Sequence, residues 1–504
     1  MTSTLPDSLR PPGRATARTD DRQMNGLLKR LHFFAGVLCA PLILIASVTG
    51  LLYAFAPTVE QVMNHSMLTS EAPEGAGAGQ RLPVSDLVDT AQAEHPDLAL
   101  AGVRLGDDDE TTRVLFTDPE LPESTVQAVF LDPWTGEVTG DTTQYGSAGS
   151  LPLRQWIAEG HRTAWLGEPG RLYSETAASW LGVLAVGGVV MWWRRQKSGQ
   201  KSGRASTARL RAMLRTGGRG RTRTMRLHGA TGTLVAVGMV FLTVTGLTWS
   251  SVAGSTIGDV REKLSWGTPS VSASLPGIQD APDAAGAGAA AASGGHAGHA
   301  GHGGAAGASS PVRVSGLNQG SVDRVAETAV EELRTPVTIT PPSAEGQAWT
   351  ATEDRVAYRL TNDAVAIDWA TGEVTERLDF ADWPVAAMAT GWLIQLHMGT
   401  LFGLPNQLVL GALAAAIIAM VCWGYAMWWR RRPAGRLAGP PRRADWERPT
   451  AGTVVLVVAL VAYGFVAPLF GVTCLAFVAG SVIWDRVGAA REAREARVLS
   501  TPPR

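Results

Sequence analysis

Cysteine is scarce in this sequence, and its scarcity excludes two classes of protein. Only three of the 504 residues are cysteines, Cys39, Cys422 and Cys474, and each lies within an apolar run. They cannot form an extracellular disulfide framework, and no Cys-x-x-Cys-His motif is present for covalent attachment of haem. We therefore interpret the three thiols as packing groups of buried segments.

Charge is also limited in amount and in place. The net charge is only −1, which argues against a nucleic-acid partner. The long apolar runs contain almost no Asp, Glu, Lys or Arg, which argues against an ion-coupled transporter. No Gly-x-Gly-x-x-Gly motif marks a cytoplasmic nucleotide domain, so an electron donor would have to be a separate protein or a quinol. No serine lies in a nucleophile-elbow motif, and a hydrolytic site is not expected.

The most informative feature is an internal repeat. Arg-Leu-His ends at His32 and again at His228, each time at the start of a long apolar run. Eighteen residues later, Val-Thr-Gly ends at Gly50 and at Gly246. Further on, Met-Trp-Trp-Arg-Arg begins thirty residues after His161 and thirty residues after His397. The chain therefore contains two copies of one unit, and repeats in membrane proteins often meet at a shared functional site.

The apolar runs predict membrane spans, because a hydrocarbon core of about 30 Å needs about 20 helical residues. We expect spans at 31–56, within 150–194 after a short interfacial helix, at 227–250, and within 388–429 after a second interfacial helix. The apolar run 453–484 is too long for one upright span. Gly464 and Pro468 near its middle favour a helical hairpin, although one long tilted helix is the alternative.

Lys and Arg predict the orientation of these spans. Four segments are expected to be cytoplasmic: the basic tail 1–30, the loop 195–226, the loop 430–450 and the tail 485–504. No small-residue cleavage site follows the first span, so we expect a retained anchor rather than a signal peptide. The sequence thus predicts a multi-pass protein of the inner (cytoplasmic) membrane, with both termini in the cytoplasm.

Two external regions each carry the pattern of a small α+β domain. In region 78–145 we predict a helix at 84–94 and strands at 98–105, 112–117 and 126–131. In region 311–380 we predict a helix at 321–333 and strands at 337–340, 348–352 and 364–367. Each region closes on an Asp-x-x-Thr-Gly-Glu-Val turn, in which Asp caps the turn and Gly takes a positive φ.

A linker at 281–310, rich in Gly and Ala, precedes the second domain and is flexible by composition. It contains His296, His299 and His302 at three-residue spacing. Neutral imidazoles bind Cu, Ni or Zn, so one hypothesis is an arm that captures a metal ion transiently. The alternative is a solvated linker with incidental histidines.

Taken together, these motifs resemble a known family. The helix and strands ending in Asp-x-x-Thr-Gly-Glu-Val resemble the PepSY domain, and the flanking helices with Leu-His and Trp-Trp-Arg resemble the PepSY-associated transmembrane family. The resemblance covers roughly residues 25–432 and implies a polytopic α-helical membrane protein. We expect two tandem repeats of a two-span unit, each with an external PepSY-like domain, followed by the apolar hairpin. The family includes bacterial ferric-siderophore reductases that carry haem and many members known only as iron-regulated.

Four histidines are the candidate cofactor ligands. By their place in the spans, His32 and His228 lie near the cytoplasmic face, and His161 and His397 lie near the external face. A pseudo-two-fold relation predicts the pairs 32 with 228 and 161 with 397, and each pair suits b-type haem, giving two haems. Gly36, Gly229 and Gly232 near the ligands leave room for a flat ring.

Three functions remain open from the sequence. The first is transmembrane electron transfer through these haems to an external acceptor such as ferric-siderophore iron, with electrons from a separate cytoplasmic protein or a quinol. The second is a haem-free PepSY-type binding or regulatory protein that restrains a peptidase or senses a ligand. The third is a transporter built on the repeat.

Overall fold

The computed structural model describes residues 13–75, 80–199, 220–275, 319–431 and 450–500. The chain divides into two compact units, each assembled from separate stretches of sequence. A helical unit comprises Met1–Val48, Arg162–Ile257 and Leu413–Arg504, and a sheet-containing unit comprises Thr49–His161 and Gly258–Ala412.

The long helices follow the apolar runs, because a helix satisfies every backbone hydrogen bond within the segment. They are α2 (Ala40–Met63), α6 (Gly167–Gly199), α7 (Arg221–Thr248) and α11 (Gly403–Trp429), and they are preceded by α1 (Gly13–Leu38), whose first half is polar. After them come α12 (Ala451–Val466) and α13 (Pro468–Ser500). Shorter helices are α3 (His65–Leu68), α4 (Val84–Glu94), α5 (Pro152–Thr163), α8 (Val252–Lys263), α9 (Gln319–Glu332) and α10 (Val385–Met398).

Five helical segments of the described chain are long and apolar enough to cross a membrane: Ala40–Met63, Gly167–Gln196, Arg221–Thr248, Gly403–Trp429 and Pro468–Ala490. The 16 residues of α12 make a shorter apolar helix. The chain is therefore a helical membrane protein. Inside the helical unit, Leu31, Ala35, Trp180, Met239 and Ile417 belong to one buried apolar core.

The C-terminal apolar run breaks at one residue. Ala467 separates α12 from α13, directly before Pro468, which cannot donate a backbone hydrogen bond. Gly464 and Gly471 then approach so closely that a β-carbon added at Gly464 would lie 3.3 Å from Cα of Gly471. The two helices thus form a hairpin, which we call the C-terminal hairpin (residues 451–500).

The sheet-containing unit holds one antiparallel sheet of eight strands in the order β4-β3-β2-β1-β5-β6-β7-β8. The strands are β1 (Ala99–Leu105), β2 (Thr112–Thr117), β3 (Thr125–Leu131), β4 (Val138–Tyr145), β5 (Val337–Thr340), β6 (Trp349–Glu353), β7 (Ala364–Ile367) and β8 (Val374–Leu378). Alternate side chains such as Val114 and Phe116 point to one face and are fully buried there. Helices α4 and α9 cover that face with Leu87, Ala91 and Val325.

The two predicted external domains share this sheet because β1 pairs with β5. The register joins Val103 to Ile339, Arg104 to Thr338 and Leu105 to Val337. Within this pairing of β1 with β5, the Arg104 side chain forms two ion pairs. Its Nε lies 2.6 Å from Asp354 Oδ2, and its Nη1 lies 2.8 Å from Glu110 Oε2. Burial alone lowers the pKa of Arg104, but these two carboxylates outweigh it and raise the pKa above its usual value, so the guanidinium stays charged.

The sheet differs from the expectation in two respects. Each half has four strands rather than three, since β4 and β8 follow the Asp-to-Gly turns. These strands were missed because they are polar: β4 reads Val-Thr-Gly-Asp-Thr-Thr-Gln-Tyr, with no apolar alternation. The halves also form one sheet rather than two, and the tertiary pairing of β1 with β5 has no local sequence signal.

The two turns themselves have the predicted geometry. Asp132 Oδ1 accepts a hydrogen bond from the backbone N–H of Trp134 at 2.8 Å, and Gly136 has a φ of +75°. In the second half, Asp368 Oδ1 accepts from the N–H of Ala370 at 2.8 Å, and Gly372 has a φ of +80°. Glycine is favoured at both positions because it has no side chain to clash at positive φ.

Candidate functional site: two pairs of histidines

The first pair lies in the helical unit. His32 is on α1 and His228 is on α7, and their ring centroids are 6.3 Å apart with the ring planes at 89°. Both side chains are half-buried. The structure thus brings together the two histidines that end the repeated Arg-Leu-His motif.

The hydrogen bond of His228 defines which ring nitrogen is available. Its Nδ1 lies 3.0 Å from the backbone carbonyl oxygen of Met420. Because a carbonyl oxygen only accepts, Nδ1 carries the proton and donates, and Nε2 keeps its lone pair. Metal-binding histidines commonly use this arrangement, in which the second nitrogen is held by a backbone carbonyl.

His32 is held differently. Its Nδ1 is buried, and the described part of the chain offers that nitrogen no hydrogen-bond partner. On α6, a β-carbon added at Gly188 would lie at an ordinary contact distance of 3.6 Å from Cε1 of His32, so the ring lies next to α6.

The second pair lies in the sheet-containing unit. His161 on α5 and His397 on α10 have ring centroids 6.4 Å apart, with the ring planes at 63°. Nδ1 of His161 shares a hydrogen bond of 3.2 Å with the hydroxyl of Thr49. Next to Thr49, a β-carbon at Gly50 would lie 3.1 Å from Cε1 of His161. The repeated Val-Thr-Gly motif of the first half therefore lies directly against the His161 ring.

The glycines that were expected to leave room near the ligands have different surroundings. A β-carbon at Gly36 would meet nothing within 4 Å in the described chain. At Gly229 it would lie 3.3 Å from Trp192 Cδ1, and at Gly232 it would lie 3.2 Å from Met420 Sδ. Gly36 thus borders open space, whereas the other two admit neighbouring side chains.

Three contacts at the pairs were not assigned from the sequence. Thr49 belongs to the repeated Val-Thr-Gly motif, but nothing in the sequence linked this motif to His161. The carbonyl of Met420 and the close approach of Gly188 depend on tertiary packing and leave no motif.

The predicted metal-capturing histidines, His296, His299 and His302, lie outside the described residues. Within the described chain, no group of three or more His, Cys, Asp or Glu side chains is arranged to hold a metal ion. The two histidine pairs are accordingly the candidate site.

Comparison with known proteins identifies the family. No curated protein sequence matches the chain. A family model described as the PepSY-associated TM region matches residues 29–431, which is about four fifths of the chain and includes all four paired histidines. The C-terminal hairpin lies beyond this match. The chain therefore belongs to the PepSY-associated transmembrane family.

Proposed function

We propose that this protein transfers electrons across a membrane through two b-type haems. The pair His32 and His228 holds one haem, and the pair His161 and His397 holds the other. With haem bound, the first pair would serve a donor on the cytoplasmic side and the second pair would serve an external acceptor. For that acceptor we propose ferric iron bound by a siderophore, as the family resemblance implies.

The separation of the rings in both pairs is the observation that carries this proposal. Two imidazoles that both held one iron would have ring centres up to roughly 6 Å apart, because a metal–nitrogen bond is about 2 Å long. The centroids are 6.3 Å apart in one pair and 6.4 Å apart in the other. Nearly the same separation thus occurs in both pairs.

The neighbours of the rings support the same proposal. The Met420 carbonyl holds the His228 ring with Nε2 free to act as a ligand. The Thr49 hydroxyl can do the same for His161 by accepting from Nδ1. The buried Nδ1 of His32 leaves its ring without such a tether, so the position of that ring depends on its helix.

The residues of the chain supply binding, orientation and apolar surroundings, and the haem iron supplies the one-electron redox chemistry. Apolar residues of α1, α6, α7 and α11 form the buried core of the helical unit, which carries the first pair. Reduction of a ferric siderophore weakens its hold on iron, because hard oxygen ligands prefer Fe(III) to Fe(II). The donor is a separate cytoplasmic protein or a quinol, and we propose that both termini are cytoplasmic.

The first test is the visible spectrum of the detergent-purified full chain, oxidised and then reduced with dithionite. We expect b-type bands and about two haems per chain by pyridine haemochrome. His32→Ala and His161→Ala should each lose one haem. His95→Ala is the matched control, because His95 pairs with Asp141 in the sheet at 3.0 Å and should keep both haems.

A colourless protein, after expression with ample haem, would overturn the electron-transfer proposal. The haem-free binding or regulatory interpretation would then take its place. Reduction of a purified ferric siderophore by the dithionite-reduced protein, after removal of excess dithionite, tests the acceptor separately from haem binding.

A further inference from the structure

The C-terminal hairpin packs against two helices of the first repeat. Arg30 on α1 is buried, with 6% of its surface exposed, and its Nη2 lies 3.0 Å from Asp485 Oδ1 on α13. One helical turn further along α1, the ring of Phe34 stacks on Phe477 with centroids 6.2 Å apart. Residue numbers rise along α1 as they fall along α13, so the two helices run antiparallel.

A second set of contacts anchors the hairpin to α6. The indole N–H of Trp180 donates to the hydroxyl of Thr473 at 2.9 Å, and Trp180 is fully buried. The hydroxyl of Tyr463 donates to the backbone carbonyl of Ser179 at 3.0 Å. The hairpin thereby bridges α1, which carries His32, and α6, which carries the Gly188 that approaches the His32 ring.

The equivalent arginine of the second repeat has a different environment. Arg226 precedes His228 by two residues, as Arg30 precedes His32, but Arg226 is exposed. The C-terminal hairpin thus forms an ion pair with the arginine that precedes His32. His228 is held through its own hydrogen bond to Met420, whereas His32 depends on where α1 lies.

We propose that Asp485 is a positioning residue for the His32 side of the first pair and acts through Arg30. The C-terminal hairpin holds α1 by this ion pair and keeps the Arg30 charge balanced beside the redox centre. This inference rests on the proposed function, because the charge balance matters through the haem that His32 holds. Neutralising Asp485 removes one negative charge beside the buried Arg30, whose Nη2 also lies 3.4 Å from the Ser481 carbonyl oxygen. The local charge then becomes more positive, which favours the reduced, more negative state of a nearby centre.

The test is a redox titration of the full chain carrying Asp485→Asn. We expect a more positive midpoint potential for the haem that is lost in His32→Ala, with the other haem unchanged. Asp485→Glu should restore the wild-type value, because it restores the carboxylate. Arg486→Gln is the matched control, since Arg486 is the exposed neighbour on α13 and should leave both potentials unchanged.

The double variant Arg30→Gln with Asp485→Asn removes both charges of the pair, so the net local charge is the same as in the wild type. We expect its potential to lie closer to the wild type than that of Asp485→Asn. An unchanged potential in Asp485→Asn, or an equal shift of both haems, would overturn the inference while leaving the electron-transfer proposal intact.

A readout without haem separates the two proposals. Thermal unfolding in detergent of the wild type, Arg30→Gln, Asp485→Asn and the double variant forms a double-mutant cycle for the ion pair. If the wild type binds no haem, the electron-transfer proposal fails and the cycle still measures whether Asp485 holds α1. Additive effects of the two changes would show that it does not.

Discussion

Gly50 lies so close to His161 that a β-carbon there would be 3.1 Å from Cε1 and 3.4 Å from Nδ1 of the ring. The first distance is shorter than ordinary van der Waals contact and the second is at its lower limit, and Thr49 already holds the ring by a hydrogen bond. A side chain at position 50 would therefore require the His161 ring to shift by a few tenths of an ångström.

We predict that Gly50→Ala displaces the His161 ring and lowers haem occupancy at the second pair. Overpacking costs about 1–3 kcal/mol, which exceeds the gain of about 1 kcal/mol from replacing a helical glycine by alanine. Pyridine haemochrome and thermal unfolding measure the two effects. Gly246→Ala is the repeat-matched control: its β-carbon would meet Ala178 at an ordinary 3.8 Å, so it should keep both haems and be neutral or stabilising. Identical behaviour of the two variants would contradict this prediction.

Thr49→Val tests the hydrogen bond to His161 with almost no change of shape. Loss of a group that orients a metal ligand costs about tenfold or more in metal affinity. We expect haem at the second pair to dissociate about tenfold more readily, as measured by transfer to apomyoglobin. Thr243→Val is the control, because the Thr243 hydroxyl bonds only to the Met239 carbonyl of its own helix in the described chain. Equal haem loss in both variants would count against a role for Thr49.

Arg104→Ala should weaken the pairing of β1 with β5. The change removes the charged hydrogen bonds of Arg104 to Asp354 and Glu110, which are partly exposed, and we expect a cost of about 1.5–3 kcal/mol. Hydrogen exchange of peptides covering β1 and β5 should become faster. Arg377→Ala removes a more exposed ion pair with Glu332 and should cost less than about 1 kcal/mol. If the amides of β1 and β5 exchange at the wild-type rate in Arg104→Ala, Arg104 does not stabilise this pairing.

Glu175→Ala should loosen the start of α8. The buried carboxylate of Glu175 accepts hydrogen bonds from the backbone N–H groups of Val252 at 2.9 Å and Ala253 at 2.8 Å. Losing such a cap costs about 1–2 kcal/mol, so amide exchange at 252–257 should accelerate. Glu168→Ala is the control, because Glu168 is exposed and pairs only with Arg171 in the described chain. Unchanged exchange in Glu175→Ala would contradict the capping role.

The sequence predicted those parts of the fold that rest on local patterns. Long apolar runs indicated helices, and the Asp-to-Gly turns at 132–136 and 368–372 indicated hairpins. The strands β4 and β8 were missed because their composition is polar, and the single sheet was missed because β1 and β5 are distant in sequence. Such pairing is decided by tertiary packing, which local propensity does not encode.

The candidate site was likewise predictable only where it rests on a sequence pattern and not on tertiary packing. Matching positions in the repeat were enough to predict which histidines face each other. The groups that hold each ring, such as the Met420 carbonyl, come from other helices and could be seen only in the structure. The Arg30–Asp485 pair likewise joins helices that are far apart in sequence.

The pairing of β1 with β5 has a consequence for synthesis of the chain. Leu105 and its partner Val337 are separated by more than two hundred residues. At about 5–20 residues per second, the ribosome needs roughly 10–50 seconds to make the intervening segment. Throughout that time the hydrogen-bonding edge of β1 is open, and open edges invite pairing with other chains. Strand β1 therefore lacks its partner β5 until the second half of the protein has been made. A ribosome that stalls between the two halves leaves an aggregation-prone intermediate for the cell's chaperones and proteases.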